Sequence, residues 1–142
     1  KSGRGHNKKY YIMEKEILEG NKLIAEFLKL ETCTDKECSG NLCYFCEPLS
    51  RYLKVSDMDF HENWKSLMPV VERIEKECKA LVNINSVSCE IKTIPFHIEI
   101  IDDNVTKNHS KYSIYRESNS KIESTWLCVV DFIHFYNTQN KQ

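Results

Sequence analysis

The chain has 142 residues, 41% hydrophobic and 29% charged, with only 4 Gly and 3 Pro. That size suits one hydrophobic core, and the composition excludes a collagen, a low-complexity polymer and a wholly disordered chain. No apolar run reaches the about 20 residues that cross a bilayer, so no membrane partner is expected. No signal peptide is read at the basic, polar N-terminus. A balance of 20 basic and 21 acidic residues lacks the basic excess of a dedicated nucleic-acid binder.

The near-neutral balance hides an asymmetry. Residues 1–12 hold Lys1, Arg4, Lys8 and Lys9 and no acid, so they carry +4; the remainder holds 16 basic and 21 acidic groups, net −5. The segment reads either as an arm for phosphate or an acidic partner or, preferably, as an expression-derived or upstream extension, because the helical pattern begins only after Met13. The expectation is therefore a basic extension over 1–12 and a single domain over 13–142.

The first helix is expected over about Met13 to Leu30. Ile17, Leu18, Leu23, Ile24, Phe27, Leu28 and Leu30 form its apolar stripe, with Gly20-Asn21 as a point where it could break and be recapped. Residues 31–60 lack a helical period and read as a loop-rich, cysteine-bearing insertion with a short strand near Leu49–Val55. A second helix carries Trp64, Leu67, Met68, Val71, Ile74, Cys78 and Leu81 on one face, capped by Asp59 or Asn63. Pro69 either bends that helix or falls in a first turn that starts near Ser66.

From Val87 the period becomes two. Val87, Cys89 and Ile91 alternate with polar residues, and so do Phe96, Ile98 and Ile100, giving two strands separated by Pro95 and read as a tight pair or one bent strand. Residues 102–120 are polar, with a third short strand at Lys111–Tyr115. A last helix runs from about Lys121 to Asn137, capped by Ser120 and Glu123, with Ile122, Trp126, Val129, Val130, Ile133 and Tyr136 as its stripe. The fold class is thus α+β: a small antiparallel sheet of two to four strands packed between amphipathic helices, an α-β-α sandwich.

Chemistry is sparse. Cys33, Cys38, Cys43 and Cys46 form C-x4-C-x4-C-x2-C. Four soft ligands in a short loop can wrap one structural Zn2+, with His61 near enough to replace one of them; free thiols in a reducing compartment and disulfides are the alternatives. Cys78 and Cys89 follow apolar faces and read as core residues, while Cys128 sits off the main stripe. His61, His97, His109 and His134 are scattered and read as surface or partly packed side chains. Asp57, Asp59, Asp102 and Asp103 read as turn residues. No phosphate loop, nucleophile elbow, zinc-protease motif or helix-turn-helix is present, so no catalytic or cofactor-binding residue is assigned. Tyr44, Phe45, Tyr52, Tyr112 and Tyr115 could present rings to a ligand or partner.

Three blocks, Glu19–Phe27, His61–Ile74 and Lys121–Asn137, resemble small phage and prophage proteins of Bacteroidetes and are similar to the phage α-β-α sandwich domain family. The resemblance covers about 40 residues, mostly core and cap positions. It implies a sheet packed between helices and a phage origin, and it implies no agreed activity. Leu28-Lys29 and the four-cysteine insertion depart from the pattern. The expected function is a non-enzymatic binding protein in the host bacterial cytoplasm. It would hold a host or phage protein, or a small nucleotide-type ligand, to act on host defence. A virion-associated or assembly role, with homo-oligomers, is the alternative, and a small enzyme directed at nucleotides or nucleic acid is the second alternative.

Overall fold

A computed structural model describes residues 13–33, 42–46, 50–93, 98–101, 104–108 and 113–140. In chain order the elements are α1 (Glu14–Phe27), β1 (Thr32–Cys33), β2 (Cys43–Cys46), β3 (Arg51–Lys54), a 3-10 turn (Val55–Asp57), α2 (Trp64–Glu77), β4 (Ala80–Ile84), β5 (Ser88–Thr93), β6 (Ile98–Ile101), β7 (Asn104–Asn108), β8 (Ser113–Glu117) and α3 (Lys121–Asn140). The strands form two three-stranded antiparallel sheets, β1-β2-β3 and β4-β5-β8, and the β6-β7 hairpin. The expected α+β fold, with small antiparallel sheet packed against helices, is the fold observed. Residues 1–12 and Pro95 lie outside the described residues.

The helix α3 organises the core. It packs against β5 and β8 and also against α1 and α2, so Ser124 through Val129, Phe132 and Ile133 are all buried. A helix covered from several sides need not be amphipathic, which is why Cys128, off the stripe read from the sequence, is fully buried. Ser124 and Thr125 tolerate that burial because both hydroxyls donate back to the Lys121 carbonyl, at 3.1 and 2.7 Å. At the N-terminus of α3 the Ser120 hydroxyl accepts from the Glu123 amide at 3.2 Å, and the Glu123 carboxylate accepts from the Asn119 amide and the Ser118 hydroxyl. The expected capping box is present, with its acid reaching one and two residues further back.

The sheet β4-β5-β8 presents Ala80, Cys89 and Ile91 to the core, while Leu81, Lys92 and Tyr115 are exposed on the other side. A tight turn joins β4 to β5, where the Asn85 amide donates to the Ser88 carbonyl, and β5 sits between β4 and β8 in register. This corrects two expectations. Leu81 is not on the second helix, which stops at Glu77, but on a strand that the helical spacing had absorbed. Of the two readings for the alternating runs, the tight pair is not formed among the described residues: β5 pairs with β4 and β8, and β6 pairs with β7.

The described residues of the insertion carry more regular structure than its loop-like composition suggests. It contains a complete three-stranded sheet, and Tyr44, Leu53, Met58 and Phe60 join the hydrophobic core. Helix α1 is continuous through Gly20-Asn21 and ends at Phe27. The chain then closes in a Schellman turn: the Lys29 amide donates to the Glu26 carbonyl and the Leu30 amide to the Ala25 carbonyl. Lys29 takes the left-handed position, with φ of 57°.

Candidate binding site

The site begins with an asparagine in the wrong place for a soluble helix. Ile17, Asn21, Ile24 and Leu28 fall on one face of α1 at helical spacing, so Asn21 occupies a core position. It is fully buried, and burial is tolerable only if its amide is paired. The carbonyl oxygen accepts from the indole N–H of Trp126 at 2.9 Å. The amide nitrogen donates to the Met58 carbonyl at 3.3 Å and to Nδ1 of His61 at 3.1 Å. Because the indole can only donate, the amide orientation is fixed; His61 must then accept at Nδ1 and carry its hydrogen on Nε2, which faces the Glu62 carboxylate at 3.7 Å. The His61 ring also meets Trp126 edge-on, centroids 6.2 Å apart.

Gly20 makes this junction geometrically available. A Cβ there would fall on ring carbons Cζ2 and Cη2 of Trp126. Gly20 and Asn21 together therefore seat the indole against α1, with the glycine giving room and the asparagine giving the acceptor.

The same junction fixes the segment before α2, through the Met58 carbonyl and His61. Asp59 completes the anchor: one carboxylate oxygen accepts from the Ser66 hydroxyl at 2.6 Å and the other from the Asn63 amide at 2.8 Å. Asn63 is the N-cap of α2 and accepts from the Lys65 amide at 3.0 Å. Pro69 lies inside α2, which starts at Trp64 rather than near Ser66. Its ring nitrogen cannot supply the helical bond to the Lys65 carbonyl.

Between this anchored segment and the first sheet is an open cavity of about 320 Å³. Leu28 and Leu30 form one wall, Phe45, Cys46 and Leu53 a second, and Met58, Phe60 and Pro69 a third; Asp59, Lys65 and Ser66 supply the few polar groups. Phe45 is braced by Tyr52, whose ring stands at 67° to it with centroids 5.2 Å apart. Arg73 on α2 donates to the Leu28 carbonyl at 3.3 Å and pairs with Glu77, tying α2 to the end of α1 beside the cavity.

The residues singled out from the sequence are dispersed. Tyr44 is buried; burial and then Glu26 push its hydroxyl up from the usual range, so its ring packs the core. Phe45 is half-buried at the cavity, and Tyr52 is half-buried against its ring. Tyr115 is exposed on the far sheet and bonds Glu117 at 2.8 Å; Tyr112 lies outside the described residues. Asp57 and Asp59 sit at turns, as expected, and His134 is exposed. His97, His109, Asp102 and Asp103 lie outside the described residues. His61 is the histidine whose importance the sequence reading missed; the polar residue on the stripe at Asn21 was the available signal.

Of the four clustered cysteines, Cys33 and Cys43 are direct neighbours across β1 and β2. Cys46 is three residues along an extended strand from Cys43, on the opposite face and about 10 Å away, so this C-x2-C is not a chelating turn. Cys38 lies outside the described residues. Among the described residues no group of three or more histidine, cysteine or acidic side chains converges on a metal-sized site. Cys78 is half-buried, and burial, partly offset by a bond from Tyr136, pushes its thiol up to about 11. Cys89 and Cys128 touch in the core; that contact, then burial, push the Cys128 thiol well up, leaving it protonated to donate to the Cys89 and Ile114 carbonyls at 3.3 and 3.2 Å.

Comparison with known proteins finds no matching family, no matching curated protein and no matching solved structure. Among the described residues no helix is long and apolar enough to cross a membrane.

Proposed function

We propose that this chain is a non-enzymatic binding protein and that its site is the cavity between α1, the first sheet and α2. The observation that carries the reading is a pocket lined mainly by apolar side chains whose walls are held by a fully paired polar junction. Such a pocket is largely formed before its ligand arrives, which lowers the ordering cost of binding. Its volume of about 320 Å³ suits a single ring system or a short branched alkyl group.

The polar groups narrow the chemistry. The N-terminus of α2 would attract an anion, but the Asp59 carboxylate already sits there and accepts from Ser66 and Asn63. A phosphate brought to the same rim would meet that carboxylate. The pocket therefore favours a small neutral apolar ligand over the nucleotide-type ligand that the sequence suggested. Among the described residues that line the pocket, Ser66 bonds Asp59 and none is a histidine, so no serine–histidine pair is assigned there. The resemblance to phage proteins would place this binding in an infected bacterial cell, with host defence as the process served.

Titration calorimetry of the full chain with indole, and separately with adenosine monophosphate, tests the reading. Indole should bind saturably at one site and the nucleotide should not. Cys46→Phe, which fills the cavity from β2, should weaken indole binding at least tenfold while unfolding stability stays within about 1 kcal/mol of the parent. Equal indole binding by both proteins, or binding of the nucleotide in preference, would overturn the assignment.

A further inference from the structure

We propose that Cys33 and Cys43 form a redox-active dithiol that closes reversibly to a disulfide, independently of the binding role of the cavity. The two residues are Cα partners in the antiparallel pairing of β1 with β2, so their side chains emerge on the same face. The Phe45 amide donates to the Glu31 carbonyl at 2.8 Å, which makes Glu31 and Phe45 a hydrogen-bonded pair. Two residues along each strand, Cys33 and Cys43 occupy the next pair of that type, with Cα atoms about 5.5 Å apart. This lies inside the about 4.4–6.8 Å Cα window of a disulfide, and because the side chains of a hydrogen-bonded pair stand farther apart than a relaxed disulfide needs, the closed bond is strained and readily reduced.

The accessibilities assign an order of events. Cys33 is partly exposed and Cys43 is buried. The oxidant is a small-molecule disulfide of the glutathione type. The Cys33 thiolate attacks one of its sulfurs, the sulfur–sulfur bond of the oxidant breaks, and one small thiolate leaves. The Cys43 thiolate then attacks the Cys33 sulfur, forming the internal bond and releasing the second small thiolate. The two protons lost by the cysteines end on the two small thiols, so the protein dithiol is oxidised and one small disulfide is reduced. The other adjacent pair, Cys89 and Cys128, is fully buried with Cys128 engaged by two backbone carbonyls. That pair lacks the access to compete.

Oxidised glutathione added to the full chain, followed by alkylation and peptide mapping without reductant, tests this. The expected result is a Cys33–Cys43 linked peptide, loss of two of the seven thiols, and full recovery of both with excess reduced glutathione. Cys43→Ser should accumulate a glutathione adduct on Cys33, and Cys33→Ser should leave Cys43 unmodified. The intact-chain map decides even if a variant folds poorly. A dominant link to Cys38 or Cys46, no internal link, or one equivalent of zinc held by the purified chain and protecting both thiols would overturn the proposal.

Discussion

The two halves of the molecule solve different problems with similar materials. Around α3, the side chains of Trp126, Val129 and Ile133 and the facing Ile24, Ile74 and Ile91 have no exposed surface, and the buried Asn21, Ser118, Ser124 and Thr125 each have a hydrogen-bond partner. Around β2 and β3, Phe45, Cys46 and Tyr52 are only partly covered, and the space between them and α2 is left open. Close packing on one side is what lets the other side keep a cavity: void volume costs stability, and the dense half supplies it. The Met58–His61 segment belongs to both, since its backbone is held by Asn21 while Met58 and Phe60 line the cavity.

The comparison can be broken at the dense half first. Trp126→Ala removes the largest fully buried side chain and leaves the Asn21 carbonyl without its donor. The loss should be about 3–5 kcal/mol or more in urea unfolding, against the small change expected for the cavity-filling Cys46→Phe. A loss under 1 kcal/mol would mean that α3 is not the centre of the core. Gly20→Ala should cost about 1–3 kcal/mol through contact with the Trp126 ring. Alanine is otherwise the better helix former by about 1 kcal/mol, so the sign of the change alone separates a packing glycine from an ordinary helix position.

Smaller effects sharpen the boundary between the halves. Lys29, between the cavity residues Leu28 and Leu30, holds a left-handed backbone that glycine adopts without penalty. Lys29→Gly should raise stability by about 0.5–1 kcal/mol, with indole affinity unchanged; thermal unfolding and calorimetry check both. A further effect is alkaline. The Cys78 thiol, raised to about 11 in the fold from 9.0, is protonated in folded and unfolded chains below pH 9. Between pH 9 and 11 only the unfolded chain gives up that proton, so stability should fall across this window. Cys78→Ala should flatten the fall in urea midpoints measured under reducing conditions.

What the sequence disclosed follows the same division. Helix α2 and β5 were legible because their burial is one-sided or alternating, as at Trp64 to Ile74 and at Cys89 and Ile91, and the start of α3 was legible from its Ser120–Glu123 cap. The central junction was not. Gly20 and Asn21 weaken a helix by propensity, so local rules read them as a point where it could break; Trp126, 105 residues away, turns them into a contact surface. The insertion was obscured in a related way. Its strands are two to four residues long, too short for a period to show, and Tyr44 gives no sign in sequence that it belongs to the core. The cavity is built from five separate stretches of chain, none of which carries a motif.

The most direct test of the account is an intermolecular NOE measurement between unlabelled indole and methyl-labelled full-length protein. The account predicts contacts from the indole ring to the methyl groups of Met58, Leu53 and Leu30, with none to Val129 or Ile91 in the dense half. Contacts confined to other surfaces, or none at saturating indole, would contradict it.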